Sequence, residues 1–252
     1  MERLVVLDRY LQDLLEVDSF KDYSSNGIQV EGSPEVLKVA TAVTASLQDI
    51  RKAVEWGADL LLVHHGILWK GDPDISVRGV RREKLRLLLE NNITLAGYHL
   101  PLDAHRDFGN NWRAARELGW QDLEPFGEYD GNYIGVKGCL PKTSCNEFVN
   151  TLENYYGHTA HLSLGGKDII SSVALVSGGA HKIIDQAISE EVDCFITGSF
   201  DEPIWHISHE ENINFIAMGH AATEKIGVRA LGNHLSEKFK LELKYIDTPN
   251  PF

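Results

Sequence analysis

Cysteine is scarce. Cys139, Cys145 and Cys194 are the only three thiols in 252 residues, an odd number without CxxC spacing. They offer neither a disulfide framework nor a thiolate zinc site, and the usage fits a reducing compartment. Positive charge is also short, with 24 Lys and Arg against 37 Asp and Glu for a formal net charge of −13. A surface of that sign repels a phosphate backbone, so general nucleic-acid binding is not expected unless basic residues cluster locally. No apolar run approaches the ~20 residues of a membrane span. The opening stretch MERLVVLDRYLQDLLEVDSF carries acids throughout and no uninterrupted apolar segment, unlike a secretory leader. These absences point to a cytoplasmic protein. Its 43% hydrophobic content is enough for one large or two small domains.

What is present is a rhythm. Leu4, Leu7, Leu11, Leu14 and Leu15 recur at helical spacing, which predicts an amphipathic first helix. Asn26-Gly27 suits a turn into a short extended segment. Apolar strands then alternate with helices: strands at 36–44, 59–65 and 93–100, helices at 46–57, 79–92 and 110–119, with Ser46 as an N-cap and Gly57 as a stop. Residues 131–140, 144–157 and 158–165 read as strand, helix and strand. The alternation resumes with strands at 171–179, 192–199 and 213–220 and helices at 180–191, 203–212 and 222–239. Such alternation specifies an α/β fold with mostly parallel sheets covered on both faces. GADLLLVHHG can be laid on EVDCFITGS, and NNITLAGYHL on ENINFIAMGH, which reads as a duplicated unit and two domains of related topology. The expected division is 1–125 plus 220–252 for one domain and 126–219 for the other.

In open parallel sheets ligands bind at the carboxyl ends of the strands. Three such ends carry imidazoles or carboxylates: His64 and His65 in VHHG, His99, Asp103 and His105 in YHLPLDAH, and His220 and Glu224 in GHAATE. Imidazole with carboxylate is a ligand set for Zn, Mn or Fe(II) rather than Mg or Ca. Neighbouring side chains on a strand point to opposite faces, so His64 and His65 share a site only if the strand is already turning or each serves a different ion. Each residue also has a structural alternative. A strand-end His is often merely hydrogen-bonded, Asp103 suits a turn, and Glu224 suits a helix N-terminus. Arg78, Arg81 and Arg82 stand near a helix start, where they and Lys70 could receive a phosphate or simply form a solvated face. Asn110 or Asn111 could face the site or cap a helix. VSGGAH lacks the residues of a P-loop.

Taken in order and at these separations, VHHGILWKG, HLPLDAH, GNN, DCFITG and GHAATEKIGVRAL resemble the Nif-three-like family, whose bacterial members carry the name GTP cyclohydrolase 1 type 2 homologue. The similarity runs from residue 25 to residue 252 and is thinnest at about 125–165. The resemblance implies two interlinked α/β domains, a toroidal homohexamer built as a trimer of dimers, and a pair of divalent transition-metal ions per chain (Fe, Mn, Zn or Ni). It implies His64, His65, Asp103, His220 and Glu224 as the metal ligands. One departure stands out: many members follow Thr-Gly with Glu, whereas this chain has Thr197-Gly198-Ser199.

Two functions follow as expectations. The first is a metal-dependent hydrolase that acts by activated water on GTP, another nucleotide or a related phosphorylated compound, with His99 or His105 as the proton donor. The second is a metal-binding adaptor or regulatory scaffold without turnover. A ring encircling DNA is disfavoured by the net charge of −13.

Overall fold

The computed structural model describes residues 1–72 and 76–252. In chain order its strands are β1 (Glu2–Arg3), β2 (Gly27–Val30), β3 (Glu35–Val36), β4 (Lys38–Thr44), β5 (Leu60–His65), β6 (Thr94–Gly97) and β7 (Gln121–Tyr129). They continue with β8 (Asn132–Ser144), β9 (His161–Leu164), β10 (Ile169–Val176), β11 (Cys194–Thr197), β12 (Asn214–Ala217) and β13 (Glu242–Tyr245). Two compact units result, one formed by Met1–Phe108 with Gly227–Pro249, the other by Gly109–Ile226 with Asn250–Phe252.

The first unit is built on a five-stranded sheet of order β13-β4-β5-β6-β2, parallel except for β2. Its central strand explains the unbroken apolar run. Leu60 and Leu62 face a core made with Leu4, Leu7 and Leu11 of the first helix and Val228, Leu231 and Leu235 of the long helix Lys225–Phe239. Leu61 and Val63 face the opposite core, with Ile50, Ala53 and Leu88. Helix Leu47–Trp56 starts where the Ser46 hydroxyl accepts the Asp49 N–H, and it stops at left-handed Gly57.

The second unit carries a six-stranded sheet of order β7-β8-β10-β11-β12-β9, in which β10, β11 and β12 run parallel. Val173, Leu175, Ile196 and Ile216 bury one face against Phe148, Leu152 and Tyr156 of helix Cys145–Tyr156. Helix Asn110–Glu117, which the sequence rhythm assigns to the first domain, contributes Trp112, Ala114 and Ala115 to this second core. The duplication is visible in the topology. The trios β4-β5-β6 and β10-β11-β12 have the same parallel order, and each is flanked beyond its third strand by an antiparallel one, β2 or β9.

Two local departures from the expected pattern have plain causes. β7 is mostly polar and exposed, with the pattern lost outside Phe126 and Gly127, so periodicity does not reveal it. Its signal lies in the turn to β8, where Asp130 and Gly131 both adopt positive φ in a two-residue hairpin loop. The strands expected to reach residues 100 and 220 end earlier, at Gly97 and Ala217. The chain then winds into the short helices Leu100–Ala104 and His220–Thr223.

Candidate metal centre

In the first unit, the ends of β5 and β6 bring three imidazoles together. The rings of His64 and His65 lie 4.7 Å apart between centroids, those of His64 and His99 4.9 Å, and those of His65 and His99 5.7 Å. One nitrogen from each ring lies within 4.8 Å of the others. The alternation rule would have sent His64 and His65 to opposite faces, yet their rings converge, because β5 is finishing at His65. The helix turn after β6 supplies Asp103, whose Oδ2 is 3.4 Å from Nε2 of His64.

Hydrogen bonding orients the rings. Nδ1 of His64 is 3.0 Å from the Tyr98 carbonyl oxygen, which can only accept. That ring must therefore carry its proton on Nδ1 when neutral, and Nε2 is then an acceptor. This acceptor faces the Asp103 carboxylate, also an acceptor, with His64 wholly buried and Asp103 5% exposed. Two acceptors so placed call for positive charge between them, from an imidazolium proton or a metal cation. Nδ1 of His65 meets the Thr44 hydroxyl at 3.1 Å. Nδ1 of His99 lies 3.0 Å from Oδ1 of Asp22. In all three rings Nδ1 is held by the protein framework.

In the second unit, His220 and Glu224 stand one turn apart after β12, with Nε2 of His220 3.2 Å from Oε1 of Glu224. The Ser199 hydroxyl holds Nδ1 of His220 at 3.1 Å. The departure from the family pattern thus has a place: Ser199 orients the imidazole. The glycine-rich turn after β10 forms the wall beside this pair. Gly178 has φ +67°, and a Cβ there would stand 2.2 Å from Oε1 of Glu224. Asn111 braces the same turn, accepting the Ser177 N–H at 2.7 Å and donating to the Ile134 carbonyl.

His64, His65, His99 and Asp103 are brought together within the first unit, and His220 with Glu224 within the second. His105 is set apart. Its Nδ1 accepts the N–H groups of Asp107 and Phe108, and burial pushes its pKa below the usual histidine value. It lines a separate hollow with Leu14, Phe20 and Arg106. Arg81 is paired with Asp72, and Lys70 donates to the backbone carbonyl of Asp22 at 2.8 Å. Asp22 is the residue that sequence reasoning missed. Burial alone would raise its pKa, but the hydrogen bond and charge of His99, with the Ser24 N–H and Asn26, pull it down to about 2. The available signal was Asp22-Tyr-Ser-Ser-Asn26, a turn-forming cluster that supplies these partners.

The chain matches the model of the family described as Duf34/NIF3 (NGG1p interacting factor 3) over residues 3–251. A Chlamydia muridarum protein named GTP cyclohydrolase 1 type 2 homolog is 49% identical over 244 residues, 96% of each chain. The Escherichia coli K12 protein of the same name is 38% identical over 248 residues, 97% of this chain and 98% of its own. Among solved structures, protein ybgI, titled as of unknown function, superposes with a TM-score of 0.92 at 38% identity, covering 99% of this chain and 100% of its own. TTHA1606 from Thermus thermophilus gives the same TM-score at 36% identity, with 99% and 100% covered. Among the described residues, no helix is long and apolar enough to cross a membrane.

Proposed function

We propose, since this chain belongs to the Duf34/NIF3 family, that it holds two divalent transition-metal ions through His64, His65, Asp103, His220 and Glu224 and acts as a hydrolase on a nucleotide or a related phosphorylated compound. The observation that carries the reading is the buried His64–Asp103 contact, where a ring obliged to present an acceptor faces a carboxylate. The donor chemistry fits Fe, Mn, Zn or Ni, since all are accepted by imidazole and carboxylate. When bound, such ions supply a water that loses its proton near neutral pH and a Lewis acid for the oxygen of the bond under attack.

The chain's own residues supply the rest. The Tyr98 carbonyl and the Thr44 and Ser199 hydroxyls fix the ring orientations, so that nitrogen lone pairs are in place before a substrate arrives. Asp103 and Glu224, buried at 5% and 3% exposure, offset the cationic charge in a region that water enters poorly. The name borne by the relatives directs the substrate search to GTP first. The same reading includes self-association into a homohexamer, to be checked by the mass of the purified protein in solution.

The test is direct. Protein purified without added ions is analysed for metals and incubated with GTP and with oxidised or ring-damaged nucleotides. About two transition-metal ions per chain are expected, with consumption of one panel member that is lost in His64→Ala and Glu224→Ala. Metal without turnover of any nucleotide replaces the hydrolase with the adaptor reading. Absence of metal overturns both.

A further inference from the structure

We propose that His99 is itself a metal ligand, completing with His64 and His65 a three-imidazole face within the first unit, and that Asp22 is the residue that positions it. The inference rests on the metal-centre reading and extends it. The strand-end pattern offers His99 only as one candidate among several, the family resemblance leaves it out of its five ligands, and neither reaches Asp22.

Three observations carry it. The first is proximity. One nitrogen each from His64, His65 and His99 lies within 4.8 Å of the other two. Nitrogens on one face of an ion stand roughly 3.0–3.4 Å apart when each bond is ~2.1 Å, so ring movements on the order of 1 Å bring all three into coordination.

The second is the proton arrangement. The Asp22 carboxylate takes the N–H groups of Ser24 and Leu100 and the amide of Asn26, all of them donors, so it acts as an acceptor; Nδ1 of His99 then carries the proton and Nε2 presents its lone pair. The Tyr98 carbonyl imposes the same tautomer on His64. Carboxylate behind imidazole is the usual support of a metal-bound histidine, because it fixes the ring and strengthens its donor nitrogen. His105 shows the contrast, since it uses Nδ1 to accept two backbone N–H groups.

The third is the effort made to immobilise the ring. Asp22 is 6% exposed and also accepts from the N–H groups of Ser24 and Leu100 and from the Asn26 side chain. Asn26 in turn accepts the His99 N–H at 2.7 Å. Tyr23 and Trp69 set their rings edge-on to His99, at 4.9 and 5.4 Å between centroids. Burying a carboxylate is unfavourable unless its partners replace water. Here those partners fix one imidazole in one orientation.

The test uses the full chain stripped of metal by chelation and titrated with Co²⁺. Binding is read by calorimetry and by the visible absorption of cobalt. His99→Ala is expected to weaken cobalt binding at one site at least tenfold and to change the visible bands. His99→Cys is expected to restore binding and to add a sulfur-to-cobalt charge-transfer band in the near ultraviolet, which appears only if residue 99 touches the ion. Asp22→Asn should weaken the same site by roughly 10- to 100-fold. If His99→Ala does not fold, the Cys and Asn variants decide the matter. A wild-type spectrum and affinity in His99→Ala, or no new band in folded His99→Cys, overturns the inference and leaves the five-ligand reading standing. A wild-type chain that binds no cobalt overturns both.

Discussion

Gly178→Ala separates the integrity of the candidate metal centre from that of the fold. Two effects meet at this residue. Its φ of +67° lies in the left-handed region, where an L side chain is disfavoured by about 1–2 kcal/mol. A Cβ would also stand 2.2 Å from Oε1 of Glu224 and 3.3 Å from Nε2 of His220. The atom met is the end of a flexible side chain, so the fold can yield cheaply by turning the carboxylate aside. The damage then falls on the position of Glu224. Gly157 is a matched control in the same unit, with φ +63° and nothing within 4 Å of a Cβ. Both alanine variants should lose about 1–2 kcal/mol in urea unfolding of the metal-stripped chain, a fall in Tm of roughly 2–8 °C at this size. Only Gly178→Ala should lose metal affinity, by at least about tenfold, or 1.4 kcal/mol. Titration calorimetry with Zn²⁺ or Co²⁺ reads the difference. Equal metal affinities in the two folded variants would refute the placement of Glu224 as a ligand.

Other outcomes follow from the same contacts. Ser199→Ala removes the partner of Nδ1 in His220 and should weaken metal binding by roughly 10- to 100-fold, with Ser199→Thr restoring it; an unchanged affinity in the alanine variant would show that the hydroxyl does not orient the ring. His220→Ala combined with Glu224→Ala should leave about one ion per chain in elemental analysis, held by the first unit's donors, and complete loss of metal would contradict a self-sufficient three-imidazole face. Leu61, wholly buried in the second core of the first unit, should cost about 2–5 kcal/mol on truncation to alanine; a loss below about 1 kcal/mol in urea unfolding would argue against that packing. Asp22 has a folded pKa of about 2 against an ordinary 3.8, because its partners outweigh its burial. A depressed carboxyl pKa contributes stability that is present above pH 4 and lost as pH falls toward 2, worth about 2 kcal/mol. Asp22→Asn should therefore flatten the decline of the urea midpoint between pH 4 and pH 2, and an unaltered slope would be the contrary result.

Much of this molecule is legible in the sequence, and the reason is physical. β5 reads as a strand because Leu60 to Val63 are buried on both faces, so that four consecutive positions must be apolar. Helices 47–56 and 145–156 announce themselves through Ser46 and Ser144 at one end and left-handed Gly57 and Gly157 at the other. β7 escaped because, at a sheet edge, it is exposed on both faces outside Phe126 and Gly127, so no alternation marks it. The gathering of His64, His65, His99 and Asp103 was legible as strand-end chemistry. What the gathering requires was not. Asp22 lies 77 residues from His99, and the Tyr98 carbonyl, being backbone, leaves no mark in the sequence. Ser199 reads as a mere loss of the family's Glu until its hydroxyl is seen on His220.

The duplication clarifies why the donors are spread unevenly. Laying β6 on β12 sets Leu100 against His220 and Ala104 against Glu224, so the histidines and acids of the two units do not occupy equivalent positions. In the first unit the middle strand of the parallel trio ends in His64-His65 and the third strand leads to His99. In the second the middle strand ends in Thr197-Gly198-Ser199, which supports a ring without ligating, and the third leads to His220. The corresponding strand ends carry a cluster of imidazoles in one unit and a histidine–carboxylate pair with a hydroxyl behind it in the other. Helix geometry explains how the second copy manages with fewer residues. His220 and Glu224, four apart, share one face of a turn, so a single segment presents nitrogen and oxygen together. The first copy has the same spacing of four in His99 and Asp103, but it gathers two further imidazoles from the end of β5. The buried carboxylate of Asp22 and the carbonyl of Tyr98 brace rings that come from different strands.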